Sequence, residues 1–393
     1  MFSVWNNIEA ITFRYGRKSR LIKKIGLSIK RAQLNRHWMR KADVAAVEED
    51  PAQMGRILEK YLTSEKDYLA SVKERMIAYS KKTNIRIDAE TEKDVSFSAL
   101  AYGFTPEEYF TFHLKEKCFE DRKSFLSDRE RLLLLYKVND IVNMQYARNK
   151  QLTYSLFKDF YKRDALAIRS EKDLNAFLAF VDKHPVFVQK SARMNCGQGV
   201  MLINIKETGC SKEAYFHKLI TDHDILLEEP IKQTVLSVFN ASSVNTVRCG
   251  TCIKNGEAII KFCTLRTGRS GSFIDNLAGG GIGAGIDLET GIVNTDGITE
   301  FGEVFLEHPD THTVFKGFQI PDWAGLRSFV TALALKLPDV RCVGWDLAYT
   351  EKGWCLVEAN ARLQFITPQL SCQKGFKSEL LDALNIADLH RGR

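Results

Sequence analysis

The sequence lacks the segments that would place it in a membrane or direct it across one. No apolar run approaches the roughly 18 residues that a membrane-spanning helix needs; the strongest runs, RLLLLYKV and FVTALALKL, are short or interrupted by lysine. The first residues do not combine a basic stretch with an apolar core and a cleavage site, as a signal peptide does. We therefore expect a cytoplasmic chain, whose 393 residues are enough for two or more domains.

Cysteine and histidine give little sign of a disulfide framework or a metal site. The nine cysteines are odd in number and scattered, as in a reduced cytoplasmic protein. Cys249 and Cys252 form a C-x-x-C, but they fall in a predicted hairpin, where an odd spacing points two side chains to opposite faces. His308 and His312 are spaced like metal ligands, but the intervening Pro309 predicts a loop. We expect no zinc site at either pair.

Acidic residues are missing from the segment 14–41, which contains eleven lysine or arginine residues. Its apolar residues do not keep a strict helical period. Two interpretations stay open: a solvated helix packed against the body of the protein, or a basic surface that contacts an anionic membrane at its inner face. The same charges could recruit an anionic nucleotide-sugar or lipid-linked diphosphate. We assign no nucleic-acid partner.

The chain contains helical segments first and strands later. Charged, helix-periodic sequence fills residues 45–95, and Thr105 followed by Pro106 and two glutamates is typical of a helix start. Another helical stretch is predicted at 127–162. From residue 186 onward, short β-like runs alternate with turns, apart from a predicted helix at 323–337. This order predicts an α+β fold with a basic, helical N-terminal extension.

The hairpin VGWDLAYTEKGWCLVEANAR carries polar residues among apolar ones. If residues 351–353 form its loop, Asp346 lies directly opposite Glu358, and Asn360 shares their face. Adjacent like charges are destabilising unless a cation lies between them, and these oxygen ligands suit a hard cation. A solvated polar face would show the same alternation. The hairpin alone leaves both interpretations open.

A second hairpin, SVNTVRCGTCIKNGEAIIKFCTLRTG, carries basic residues. Its Asn255–Gly256 turn predicts a two-residue loop, which puts Arg248 and Lys261 on one face and Asn245 and Arg266 on the other. Two cations on one face need an anion or a carboxylate nearby. Because guanidinium groups bind phosphate bidentately, the pattern favours a phosphate site over a charged surface.

Two further segments could contact a nucleotide. Lys190 ends the run FVQK and precedes a loop with Gly197 and Gly199, whose backbone N–H groups could approach phosphate oxygens. The strand ILLE ends at Glu228 and Glu229, where a free backbone edge could pair with adenine and a carboxylate with ribose. Taken separately, each segment could equally be an ordinary hairpin or strand end.

Together, these segments resemble the sugar-transfer-associated branch of the ATP-grasp superfamily, over residues 145–375. The resemblance depends on motifs that occur in the expected order. In addition to Lys190 and its glycine loop, these motifs are LLEEPI, SVNTVR, TLRTG, SFIDNLAGGGIGAGID, HPDTHTVFKG, VGWDLAYT and LVEANAR.

The resemblance implies two α+β subdomains that clamp ATP. We divide the chain into a basic, helical N-terminal region, 1–95, which lies outside the resemblance, and three ATP-grasp segments: 96–185, 186–232 (the lid) and 233–393 (the catalytic subdomain). The resemblance implies Asp346, Glu358 and Asn360 as Mg²⁺ ligands, and Arg248, Arg266 and Lys190 as the residues that stabilise the transferred phosphoryl group. Nucleotide contacts are implied for Lys150, Lys190, Gly197, Gly199, Glu228, Glu229 and Ile231, and substrate contacts for Asp275 and Asn276.

The implied cofactors are ATP and Mg²⁺, and the implied chemistry is ligation. ATP phosphorylates a carboxylate, and an amine then attacks the acyl phosphate to give an amide and ADP. We expect small carboxylate and amine substrates, including a sugar or lipid-linked glycan precursor of a surface polymer. A kinase that phosphorylates a sugar hydroxyl is the alternative on the same scaffold, and a nucleotide-binding regulatory module is a third interpretation.

Overall fold

The computed structural model describes residues 11–192, 199–222, 224–269, 271, 280–387 and 389. The chain forms two compact units. The first comprises Met1–Ile141, Glu300–Val304 and Gln364–Arg393, and the second comprises Val142–Thr299 and Phe305–Leu363. Within the described ranges, no helix combines the length and the apolar character needed to cross a membrane. These two units do not test the four predicted domain segments, which remain a prediction.

The first unit is built from helices. They are Arg20–Leu34, Lys41–Glu49, Met54–Glu59, Lys66–Thr83, Ala89–Ala101, Pro106–Thr111, Phe119–Ser124, Asp128–Val138, Ile366–Cys372 and Lys377–Ala383. Its core contains a buried ion pair, in which Arg122 donates to both carboxylate oxygens of Asp94 at 2.6 and 2.9 Å. Tyr109 donates to the same carboxylate at 2.5 Å. The pair is neutralised inside the core, as buried charges must be.

The sequence located the helices of this unit with mixed success. The predicted start at Thr105 is confirmed as a capping box: the Thr105 hydroxyl accepts from the Glu108 N–H, and the Glu108 carboxylate accepts from the Thr105 N–H. The predicted helix over 127–162 is broken. Helix Asp128–Val138 ends well before helix Lys150–Tyr161, which lies in the second unit. Asn149 caps the start of that second helix.

The second unit contains two antiparallel sheets. Their strands, in chain order, are β1 (Ala165–Ile168), β2 (Val186–Ser191), β3 (Val200–Asn204), β4 (Ile225–Glu228), β5 (Thr246–Lys254), β6 (Glu257–Thr267), β7 (Ile282–Ile286), β8 (Gly297–Ile298), β9 (Val304–Phe305), β10 (Cys342–Thr350) and β11 (Gly353–Asn360). The small sheet has the order β1-β4-β2-β3, and the large sheet has the order β11-β10-β5-β6-β7-β8-β9. The strands β1, β7, β8 and β9 were not predicted.

Helices cover the two sheets. Helices Leu174–Lys183 and Lys212–Asp222 pack on the small sheet through buried residues that include Phe177, Phe216 and Phe187. The predicted helix near the end of the chain is confirmed as Trp323–Lys336, which contacts β5 and β6 of the large sheet. Each sheet therefore packs against helices through an apolar core.

The acidic hairpin has the predicted pairing of its two acidic residues, but its loop length and strand regularity differ from the prediction. Asp346 lies opposite Glu358, as predicted. The loop has two residues rather than three, because Thr350 pairs with Gly353, so the predicted loop 351–353 is wrong. A β-bulge after Asp346 inserts Val357 as an extra residue and restores the predicted register.

The basic hairpin differs from its prediction. The turn at Asn255–Gly256 is confirmed, with Lys254 paired to Glu257. A bulge next to Gly250 then makes Lys261 an extra residue, so Arg248 lies opposite Thr264 and Arg266 shares its face. The predicted separation of Arg248 and Arg266 is therefore wrong, because one extra residue reverses the faces beyond it.

The cysteines of the large sheet follow the predicted face assignment. Cys249 faces Cys263 across the β5–β6 pair, with 3.1 Å between the sulfur atoms, while Cys252 faces Cys342 of β10 at 3.2 Å. The two cysteines of the C-x-x-C thus point to different partners. All four are buried free thiols. They behave as small core residues of the central strands.

Candidate functional site

Strand β10 of the large sheet holds a buried carboxylate. Asp346 is 4% exposed, and Arg248 donates to its two oxygens at 2.7 and 2.6 Å. Arg266 approaches the same carboxylate at 3.2 Å, and the Asn360 side-chain amide at 3.3 Å. The two bulges make this convergence possible, because they bring residues of β5, β6, β10 and β11 onto one face.

The electrostatics of this cluster keep Asp346 ionised. Burial by itself raises the pKa of Asp346, but the guanidinium groups of Arg248 and Arg266 outweigh burial and hold that pKa below its ordinary value. The predicted need for a cation beside the acidic hairpin is therefore met by the protein itself. In turn, the Asp346 carboxylate supplies the negative charge that the basic hairpin was predicted to need.

Glu358 and Lys150 form a second charged pair next to this cluster. The Lys150 Nζ lies 3.5 Å from a carboxylate oxygen of Glu358, and the Glu358 side chain is 32% exposed. Lys150 begins its helix, and its N–H donates to the Ala192 carbonyl at the end of β2. This hydrogen bond fixes the helix start beside the small sheet, so Lys150 lies at the boundary between the two sheets of the second unit.

The small sheet contains a matching buried cluster around Glu228. The Lys190 Nζ lies 2.8 Å and the Arg163 Nη2 2.6 Å from the same Glu228 oxygen. Arg163 also donates to the Leu356 carbonyl of β11 at 2.7 Å. Arg163 thus ties the small sheet to the large one, while Lys190 is held at the end of β2 as predicted.

The pKa directions describe a neutralised cluster with one spare acceptor. Burial lowers the pKa of Lys190, and the charge of Glu228 opposes that shift. Burial acts to raise the pKa of Glu228, but Arg163 and Lys190 hold it below its ordinary value. The other Glu228 oxygen, Oε1, is buried and accepts no hydrogen bond in the described part of the chain. Such an atom is costly to leave unsatisfied and suits a ligand that donates a hydrogen bond.

The remaining predicted nucleotide residues lie at the edge of the small sheet. Glu229 and Ile231 are half-buried, and Glu229 accepts from the Asp164 N–H at 3.2 Å. The carboxylates of Asp164 and Glu229 lie close to the His184 ring. Because the Lys183 ammonium already lies 2.5 Å from Asp164, we assign no metal to this group.

Several predicted residues cannot be placed. Gly197, Asp275 and Asn276 lie outside the described residues. Gly199 is described: it has φ of 73°, and its carbonyl accepts from the Ser191 N–H at 3.0 Å. Its left-handed conformation favours glycine and closes the turn between β2 and β3.

Three arginines of the site region were missed by the sequence reasoning. Arg163 gave no signal, because it lies in a short charged link between a helix and β1. The Ala361 N–H donates to the Ala147 carbonyl at 2.8 Å, which brings Arg148 and Arg362 together. Burial, with a contribution from Arg362, lowers the pKa of Arg148 to about 9. Arg362 follows Asn360 by two residues, and that spacing could have drawn attention to it.

The donor set fits Mg²⁺. Asp346 and Glu358 offer carboxylate oxygens and Asn360 offers an amide oxygen, which are the ligand types that Mg²⁺ prefers. Asn360 directs its amide nitrogen toward Asp346. A cation would instead have to bind the amide oxygen of Asn360. The assignment of these three residues to a metal therefore remains a proposal.

We predict that Glu228→Gln lowers the free energy of unfolding by about 3 kcal/mol, because it leaves the charges of Lys190 and Arg163 buried without a counter-charge. Urea denaturation followed by tryptophan fluorescence measures the change. The control is Glu92→Gln, which breaks an exposed pair with Lys73 and should cost less than about 1 kcal/mol. Equal losses in the two variants would contradict the role given to Glu228.

Comparisons with known proteins agree with the sequence motifs. A search among curated proteins finds no match. Among solved structures, the chain is similar to D-alanyl-alanine synthetase A from Vibrio cholerae O1 biovar eltor str. N16961, with 12% identity, 65% of this chain and 70% of that chain covered and a TM-score of 0.40. It is also similar to D-alanine-D-alanine ligase from Helicobacter pylori, with 15% identity, 66% and 68% covered and a TM-score of 0.38.

A third structure, the ATP-grasp ligase PsnB with minimal precursor, Mg and ADP, shares 13% identity over 68% of each chain, with a TM-score of 0.39. The profile of the sugar-transfer-associated ATP-grasp family matches residues 130–385, more than half of the chain. This range includes all the predicted site residues. The chain therefore belongs to the sugar-transfer-associated ATP-grasp family and has the ATP-grasp fold.

Proposed function

We propose that the protein is an ATP-dependent carboxylate–amine ligase that forms an amide through an acyl phosphate. The observation that carries this proposal is the buried Asp346, held by Arg248 and Arg266 beside the Glu358–Lys150 pair. The arrangement combines carboxylates, guanidinium groups and a lysine, without a nucleophilic serine or cysteine among them. Phosphoryl transfer asks a protein mainly for such positioning and charge neutralisation.

The small sheet is the proposed nucleotide side. Lys190 and Lys150 direct their ammonium groups to the phosphates, with Gly197 and Gly199 in the loop over them. The adenine lies against the segment that contains Glu228, Glu229 and Ile231. The free Oε1 of Glu228 supports this placement, because an exocyclic amine is a hydrogen-bond donor that a buried carboxylate oxygen can accept.

The large sheet is the proposed reaction side. Asp346, Glu358 and Asn360 would hold Mg²⁺, which neutralises phosphate oxygens when bound. Arg248 and Arg266 bind the transferred phosphoryl group. The substrate carboxylate oxygen attacks the γ-phosphorus and ADP leaves, and the amine then attacks the acyl carbon and releases phosphate. Asp275 and Asn276 are the proposed substrate contacts.

The substrate class follows from the family's printed association with sugar transfer. We propose a glycan or surface-polymer precursor as one substrate, in a cytoplasmic reaction. The decisive experiment supplies ATP and Mg²⁺ with pools of carboxylates and amines and measures ADP release. ADP release that requires both pools, with an amide as product, supports the ligase. Release with a hydroxyl compound alone, and a phosphate ester as product, supports the kinase instead.

We predict that Glu358→Gln lowers turnover about 100-fold or more, because the neutral side chain removes one charge from the proposed cation site. The fold should persist, since Glu358 is only half-buried. The coupled ADP-release assay measures the loss. Glu351→Gln, an exposed change in the turn of the same hairpin, should leave turnover unchanged. Full activity in Glu358→Gln would exclude the metal assignment.

We predict that Lys190→Ala weakens ATP binding by about 1–3 kcal/mol, the scale of a lost hydrogen bond to a charged group. The fold should tolerate this change because Arg163 still neutralises Glu228. Isothermal titration calorimetry measures the affinity. The exposed Lys206 provides the control variant Lys206→Ala. If ATP bound equally well to both variants, Lys190 would have no role in nucleotide binding.

We also propose that the basic segment 14–41 contacts an anionic membrane surface. Its central part is helix Arg20–Leu34, which packs against helix Asp128–Val138 through bonds such as that from Arg31 to the Tyr136 carbonyl. The opposite face exposes Leu21, Ile25 and Ile29, by 67%, 50% and 40%. These three residues recur every fourth position along one face of the helix, whereas the apolar Leu34 is buried, so the segment as a whole keeps no strict helical period. An apolar row with flanking basic residues is typical of a helix at a membrane surface.

We predict that the protein sediments with vesicles containing phosphatidylglycerol at low salt and is released at high salt, because each surface-proximal cation contributes about 1 kcal/mol. Reversing two exposed charges of the helix, with Arg20→Glu and Lys24→Glu, should abolish sedimentation. The matched control reverses the exposed Lys172 and Lys206 of the second unit. Equal sedimentation of both double variants would remove the membrane proposal.

A further inference from the structure

The first unit contains an open cavity of about 420 Å³. One wall is a face of helix Lys66–Thr83, where Arg75, Tyr79 and Lys82 follow each other at helical spacing. The opposite wall comes from distant parts of the chain, with Glu300 and Phe301 on one side and Gln364 on another. Because the helix wall precedes residue 130, the family match does not include it. The other wall lies inside the matched range, but the described lining contains none of the residues assigned above to nucleotide, metal or substrate binding. The cavity is therefore a candidate site separate from those assignments.

The charged residues of the cavity are unevenly paired. Arg75 and Lys82 face three carboxylates, those of Glu107, Asp128 and Glu300. Arg75 forms a two-bond pair with Glu107 at 3.2 and 2.7 Å. Asp128 accepts from Arg131 at 2.5 and 3.0 Å, from a residue outside the cavity lining. Glu107 and Asp128 are thus each paired with an arginine, which leaves Glu300 as the lining carboxylate to be accounted for.

Glu300 is the carboxylate whose charge is least compensated. It is half-buried and forms no ion pair or side-chain hydrogen bond within the described part of the chain. Burial raises the pKa of Glu300, the charge of Lys82 opposes the shift, and the nearby Glu107 adds to it. A like-charged neighbour and partial burial both disfavour an unpaired carboxylate. A bound cation would relieve both costs.

Gln364 provides a second acceptor without a donor. Its side-chain amide nitrogen donates to Asp128 at 3.3 Å, and that bond fixes the orientation of the amide. The Gln364 Oε1 is buried and has no hydrogen-bond partner among the described residues. The cavity therefore presents two acceptors, one charged and one neutral, that match a ligand with several N–H donors.

The aromatic wall is already used by an ammonium group. The Lys82 Nζ lies 3.7 Å from the centre of the Phe301 ring, within the range of a cation–π interaction. Tyr79 stacks on Phe110 at 4.9 Å between ring centres and lies 6.1 Å from Phe301. The rings give the cavity apolar surface that can cover the carbon atoms of a ligand.

We propose that this cavity binds a small molecule that carries a primary ammonium group. The ammonium donates to Glu300 and to the Gln364 Oε1, and the carbon part of the molecule packs on Tyr79 and Phe301. An anionic ligand would lie beside the Glu300 carboxylate, and Lys82 would have to compensate both negative charges. The inference rests on the first unit by itself and holds whether or not the protein proves to be a ligase.

Binding of three probes of the same shape to the full-length protein tests the ligand class. Isothermal titration calorimetry without ATP compares benzylammonium, benzyl alcohol and benzoate. We expect benzylammonium to bind at least tenfold more tightly than benzyl alcohol, because only the ammonium forms charge-assisted hydrogen bonds. Benzoate should show no binding. Preferential binding of benzoate, or equal affinity for the alcohol and the ammonium, would overturn the proposal.

Three variants locate the binding event. Glu300→Gln should weaken benzylammonium binding at least tenfold, the effect of removing a hydrogen bond to a charged group. The exposed Glu74 on the same helix gives the control Glu74→Gln, which should bind normally. Lys82→Met removes the competing ammonium and should preserve or strengthen binding. Unchanged affinity in Glu300→Gln would overturn the site.

Folding and function are separated from binding by two further measurements. Thermal denaturation checks that each variant is folded. If Glu300→Gln is unfolded, Gln364→Leu takes its place, and a loss of affinity is again expected because the second acceptor is gone. ADP release, measured separately, tests the proposed ligase. Normal ADP release with no ammonium binding would overturn this inference alone.

Discussion

The architecture of the second unit depends on the burial of Asp346. A buried carboxylate costs several kcal/mol unless opposite charges and hydrogen bonds compensate it. Here Arg248 lies directly across on β5, and Arg266 reaches the same group from β6. That geometry requires three neighbouring strands to hold a fixed register. The bulge between β5 and β6 belongs to this arrangement, because without it Arg266 and Asp346 would face opposite sides of the sheet.

The small sheet solves the same problem with a second carboxylate. Glu228 is neutralised by Lys190 of its own sheet and by Arg163, which also bonds to β11. Each sheet thus has a buried acid with cations around it. In both clusters a ligand with phosphate groups could take over part of the hydrogen bonding of the cations, while the acid preserves their positions. Such preorganisation removes much of the cost of ordering charged side chains on binding.

The first unit follows different physics. Its core contains the Arg122–Asp94 pair and further buried charged residues such as Glu108 and Glu130, and its functional candidates lie at surfaces. Helix Arg20–Leu34 turns a row of apolar residues outward and buries Lys30 on its inner side, the reverse of the usual arrangement in a soluble helix. The cavity at Glu300 is formed by segments that are distant in sequence. Both features suggest that this unit provides contacts with partners or ligands, whereas the second unit holds the groups suited to phosphate chemistry.

The sequence by itself determined the parts that depend on short-range chemistry. The Asn255–Gly256 turn, the capping box at Thr105 and most strands follow from backbone preferences of a few residues. Local pattern also placed Asp346 opposite Glu358. The predicted loop was one residue too long, and the unpredicted bulge at Val357 compensated for that error. The family motifs identified Lys190 and the acidic hairpin for the same reason, since each is contained in a continuous segment.

Only the tertiary structure decided the parts that depend on long-range contacts. A period-two pattern does not reveal where an extra residue enters a strand, so the sequence put Arg248 and Arg266 on different faces. Arg163 could not be recognised, because its partners Glu228 and Leu356 are 65 and 193 residues away. The cavity joins residues 75–82, 300–301 and 364, and no local preference brings such segments together. Charge compensation in a buried site is a property of the assembled sheets, and it exists only after the chain has folded.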